Sequence, residues 1–99
     1  MDDKRKLTPC TCFSHDEKEG RLGIEVQLPG VEKKDISLEM RNDSFCVSAP
    51  RGEEAEYSGC FLLTHAVEPG KAEARYENGL LKVFAPIKDW GHKVNVTIQ

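Results

Sequence analysis

Four cysteines and three histidines are the residues of this 99-residue chain best suited to hold a metal or attack an electrophile. Cys10, Cys12 and His15 lie close in sequence, and thiolate and imidazole are both zinc ligands. Their spacing works against a shared site. On a strand Cys10 and Cys12 share a face, while His15, an odd number of residues further on, faces away, and no second ligand pair follows nearby. Cys46 and Cys60 sit in or beside apolar runs with no neighbouring base or cation to activate a thiol, so they read as packing residues. His65 and His92 stand isolated, one on a strand and one in a linker. No two carboxylates stand apart as an acid and a base, and no Gly-rich phosphate loop or serine elbow is present. The expectation is a binding protein and not an enzyme, with no catalytic residue, no metal and no cofactor.

The elements that would position a binding surface are strands. Leu22, Ile24, Val26 and Leu28 alternate with Arg21, Gly23, Glu25 and Gln27, which one buried and one wet face require. Before them, Thr11 and Phe13 oppose Cys10, Cys12 and Ser14 in a first strand from Pro9 to His15. Pro29-Gly30 stops the second strand, and the polar residues after it have room for one helical turn before Ile36, Leu38 and Met40 resume the alternation. Asn42-Asp43-Ser44 turns the chain into Phe45, Val47 and Ala49, and Pro50 to Gly59, rich in Gly, Pro and Glu, reads as a solvated loop. Cys60 to Val67 is a further apolar run whose inner face the pattern leaves open. Ala72, Ala74 and Tyr76 enter an Asn78-Gly79 hinge, where Gly lacks a Cβ and Asn tolerates positive φ. Beyond it Leu81, Val83 and Ala85 share one face until Pro86 removes an amide donor.

These seven strand-like runs, short loops and no amphipathic helix describe an all-β, antiparallel β-sandwich of a single domain. No apolar run is long enough to span a membrane as a helix, and MDDKRKLTPC lacks the apolar middle of a secretory signal. The net charge of -3 gives no reason to expect nucleic acid or an anionic membrane as partner. A cytoplasmic protein with reduced thiols is expected. Residues 1–8 are too polar to repay their ordering entropy and read as a disordered tail, residues 9–88 as the sandwich, and 89–99 as a carboxy-terminal extension.

Two stretches, in this order, resemble the signatures of the alpha-crystallin domain of small heat-shock proteins. VQLPGVEKKDISLEM, residues 26–40, is similar to the family's strand, Leu-Pro-Gly-Val, polar connection, Asp-Ile and strand. ARYENGLLKVFAPIK, residues 74–88, resembles its alanine, Asn-Gly, paired aliphatics, alternating apolar residues and proline. The resemblance covers roughly residues 9 to 98 and implies an immunoglobulin-like sandwich. It also implies an ATP-independent holdase whose partners are partly unfolded client proteins. An alternative is a co-chaperone of the related CS-domain kind, sharing the sandwich but recognising one folded partner.

In the family a groove lies between the strand after the Asp-Ile signature and the strand before the Asn-Gly hinge. The resemblance therefore puts Leu38, Met40, Ala72 and Ala74 at a client or partner groove. Family tails dock there through two aliphatics separated by one residue, and Val94-Asn95-Val96, with Ile98 beyond, resembles that motif. It implies self-association through the tail, the favoured reading over 94–98 as a last strand folded onto its own domain. Trp90 is either a partner contact or a plug over the end of the sandwich, the second being the simpler reading. Three departures bear on assembly. The long apolar amino-terminal arm of the family is nearly absent, the Ala49 to Gly59 segment is too short to exchange a strand, and Leu63 stands where the family carries arginine. A small oligomer or a monomer is expected.

Overall fold

The Asn78-Gly79 hinge adopts the two positive φ angles, 51° and 81°, that the sequence requires of it. A tight hairpin follows, and β7 (Glu73–Glu77) pairs antiparallel with β8 (Leu80–Pro86). Residues 5–16, 18–88 and 96–99 are described in this computed structural model, and all statements below concern them. β8 pairs on its other side with β3 (Arg21–Gln27), and β3 with β2 (Thr11–Asp16), giving one sheet in the order β2-β3-β8-β7. The second sheet has the order β1-β6-β5-β4, with β1 (Arg5–Leu7), β4 (Ser37–Met40), β5 (Ser44–Arg51) and β6 (Ala55–Leu62). Single 3₁₀ turns at Lys33–Asp35 and Pro69–Lys71 lead into β4 and β7, the first where the sequence leaves room for one. No α-helix occurs among the described residues.

The core is the inner parity of the alternating runs. Leu22, Ile24, Val26 and Leu28 from β3 and its end, Phe45, Val47 and Ala49 from β5, and Leu81, Val83 and Ala85 from β8 are all buried. The register explains why they meet, since Leu22, Ile24 and Val26 lie opposite Ala85, Val83 and Leu81. Val67 and Ile87 form a bridge that closes one end. No polar or charged side chain is buried among the described residues.

The structure corrects four expectations. Residues 5–7 are not a disordered tail: they form β1, parallel to Ala55–Tyr57 of β6, with Lys6 paired to Glu56 and Leu7 packed on the core. A polar tripeptide can order when a distant strand offers it unpaired amides and carbonyls. Pro50 to Gly59 is not a solvated loop but the close of a hairpin, turning at Gly52 (φ 68°), because Ala55 and Tyr57 reach the core and the Tyr57 hydroxyl donates to the Pro29 carbonyl, 3.2 Å. The apolar run beyond it stays in a strand only to Leu62. The expected reduced state of Cys46 and Cys60 also gives way, for they are directly opposed in the β5–β6 ladder, Cα to Cα 4.1 Å, and joined as a disulfide. Only Cys10 and Cys12 remain free, both exposed.

Candidate functional site

β4 and β7 are the outer strands of their sheets, so each presents one unpaired edge among the described residues. Leu38 and Met40 lie opposite Val47 and Phe45 of the core, which turns their side chains inward from β4. Ala74 and Tyr76 lie opposite Val83 and Leu81, which turns them inward from β7. Leu38, Met40 and Ala72 are half-buried against the core cluster. Ala74 is different: it has the inward parity of a core residue and yet is exposed. A small side chain that faces inward and still meets solvent shows that β7 leaves its inner side uncovered at this point. The four sequence-predicted groove residues therefore lie on or beside the outer strand of each sheet, Leu38 and Met40 on β4 and Ala72 and Ala74 at β7.

The inner side of β7 is anchored by the Tyr76 hydroxyl. The Tyr76 hydroxyl lies 2.8 Å from the Leu28 carbonyl and 3.0 Å from that of Val31, and its single proton serves both. This ties β7 to the Pro29-Gly30 crossing, where Gly30 takes a positive φ of 85°. Val31 and Ile36 pack beside it on the core. Tyr76 shares the parity of Ala72 and Ala74, which is the signal in the sequence that it faces inward.

Val96 and Ile98 of the expected docking motif are exposed, at 83% and 93%, and Val94 lies outside the described residues, as do Trp90 and His92. His65 is not isolated: its ring stands 4.5 Å from that of His15, because the inward parity of β2 meets the segment after β6. No group of three or more potential metal ligands gathers among the described residues. No helix among the described residues is long and apolar enough to cross a membrane.

Elsewhere an open trough of about 570 Å³ crosses the outside of the β3-β8-β7 sheet. Arg75 and Lys82, directly opposed in the ladder, share it with Glu73 and Glu77, so its charge is mixed and selects no ligand. The Asp16 carboxyl at the β2–β3 turn is held below its ordinary pKa by the Glu19 amide at 3.1 Å and then by Arg21 at 3.1 Å. Both contacts fix the turn, and neither involves β4 or β7.

No protein-family model matches the chain. It is 26% identical to small heat shock protein C2 of Rickettsia felis over 97% of this chain and 71% of that protein. It is 29% identical to the alpha-crystallin of Mycobacterium tuberculosis over 73% of this chain and 58% of that protein. Among solved structures, heat shock protein 16.0 of Schizosaccharomyces pombe superposes with a TM-score of 0.75 at 20% identity, covering 94% of this chain and 99% of the other, and shows the same fold.

Proposed function

We propose that this chain, an alpha-crystallin-domain protein related to the small heat-shock proteins, is an ATP-independent holdase that binds partly unfolded polypeptides in the seam between β4 and β7. The observation that carries this reading is Ala74, inward by register and yet exposed on the outer strand of its sheet. An extended client segment can pair its backbone with either free edge and place alternate apolar side chains against Leu38, Met40, Ala72 and Ala74. The affinity comes from covering apolar surface, at about 25 cal/mol per Å² removed from water. Binding of this kind needs no turnover and no nucleotide.

The exposed Val96 and Ile98, together with Val94, are proposed as a docking strip that competes with clients for the same seam on a second copy. Release of the tail would then regulate access.

Light scattering from a heat- or reductant-denatured model client, without nucleotide, tests the reading. Suppression at near-stoichiometric ratios is expected, and its absence would hand the lead to the one-partner adaptor. Changing Val94 and Val96 to Asp is expected to lower the molecular mass in solution and raise client protection. If neither moves, the tail has no such role.

A further inference from the structure

We infer that Cys46 and Cys60 form a redox-modifiable site on the outer face of the β4-β5-β6 sheet, where a small neutral or cationic thiol reversibly opens the disulfide and frees the second half of β6. The inference does not rest on the holdase reading. Three observations converge on it. First, the cysteines are register partners at the outward parity, opposite in direction to the core residues Phe45 and Val47. Cys60 is exposed and Cys46 half-buried, so the sulfur of Cys60 is the reachable one. Second, the disulfide lies in a shallow hollow of about 170 Å³, open to solvent and walled by Ser37, Glu39, Ser48, Ser58 and Gly59. That volume takes a molecule of a few heavy atoms. Glu39, the register partner of Cys46 on β4, adds a negative charge that disfavours an anionic reagent and favours a cationic one.

Third, β6 is held unevenly. Ala55, Glu56 and Tyr57 pair with both β5 and β1, whereas Ser58 to Leu62 pair with β5 alone among the described residues. The disulfide sits in the singly held half. Phe61 in that half stacks on core Phe45, ring centroids 5.1 Å apart, and Leu62 is 82% exposed. Opening the bond therefore leaves 58–62 attached by one ladder and the packing of Phe61 on the core.

The exchange proceeds in two steps. A small thiolate attacks Sγ of Cys60, forming a mixed disulfide and expelling the Cys46 thiolate, which takes a proton from water. A second small thiol attacks the small-molecule sulfur, releasing the Cys60 thiol and a symmetrical small disulfide. Two small thiols are oxidised and one protein disulfide is reduced.

The test uses the full chain with Cys10→Ser and Cys12→Ser, which removes the other thiols. Oxidised protein is mixed, without denaturant, with cysteamine or with the anionic 3-mercaptopropionate, and the reduced fraction is counted by alkylation and mass spectrometry. After normalising for thiolate concentration, cysteamine is expected to react faster by on the order of fivefold, since one full charge reverses sign several ångströms from Glu39. Glu39→Gln is expected to narrow the gap. Amides of 58–62 that point into β5 are expected to exchange with deuterium at least about tenfold faster after reduction, while those of 22–26 stay unchanged, and cystamine should reverse both effects. A Cys46→Ser/Cys60→Ser variant should show the fast exchange whatever the redox buffer. A disulfide that yields only in denaturant, equal rates for the two thiols, or exchange at 58–62 indifferent to reduction would each overturn the proposal.

Discussion

Ala74 separates packing from binding more sharply than any other residue of the proposed seam. Because it is exposed, Ala74→Glu should change stability by less than about 0.5 kcal/mol in urea denaturation. It should nevertheless lower client protection several-fold, by placing a charge where an apolar segment has to lie. Leu38→Asp is a poorer probe, because its half-buried side chain would confound binding with folding. Gly79 tests the hinge: its φ of 81° and the 3.3 Å from an added Cβ to the Pro29 Cα predict a loss of about 1–2 kcal/mol for Gly79→Ala. Asp16 sets the acid response. Its folded pKa is depressed below 3.8, so its contribution is fully present above that value and is lost as the pH falls through the folded pKa. Asp16→Asn should lower stability slightly at neutral pH, flatten the profile below about pH 4 and converge with the parent at low pH. At this scale the sequence was informative about parity and silent about exposure. Leu38, Met40, Ala72 and Ala74 could be placed on inner faces by alternation alone, but that Ala74 meets solvent depends on how far apart two sheets leave their edges, which no local pattern encodes.

Among the elements, the legible ones carry their own partner signals and the illegible ones borrow them. β3 alternates without a fault and β8 follows an Asn-Gly hinge, so both could be read directly. β1 could not, since its three residues are ordered by the edge of β6, some fifty positions away in the chain. The start of β6 was hidden because Glu53, Glu54 and Glu56 surround the two residues that enter the core, Ala55 and Tyr57. The disulfide follows from the same hairpin. Arg51 pairs with Ala55 and Cys46 with Cys60, both pairs centred on Glu53, so recognising the turn would have brought the sulfurs together. The disulfide closes a loop with a sequence separation of 14, for which chain entropy alone gives about 3 kcal/mol. Unfolding free energies from urea denaturation with and without reductant should therefore differ by that order, and the Cys46→Ser/Cys60→Ser variant should be insensitive to reductant.

For the molecule as a whole, the distribution of polarity decides how it responds to solvent. The core contains no buried charged or polar side chain among the described residues, and the ion pairs, such as Lys34 with Glu32 and Lys71 with Glu68, lie at the surface. Exposed pairs contribute little and are screened by salt. Raising sodium chloride to 0.5 M should accordingly move the unfolding free energy by less than about 1 kcal/mol, whereas client capture, if it is apolar, should persist or strengthen.

The register of β3 has a consequence for the time at which the protein can exist at all. Its inner face is completed by β8, whose residues come some sixty positions later, and β8 in turn needs β7 across the hinge. The hairpin of β5 and β6 can form early during synthesis, but the sheet that buries Leu22, Ile24 and Val26 has to wait until Pro86 has left the ribosome. Nascent chains stopped before Leu80 should thus be sensitive to protease along 21–28, and a single further stretch of seven residues, β8, should confer resistance in one step.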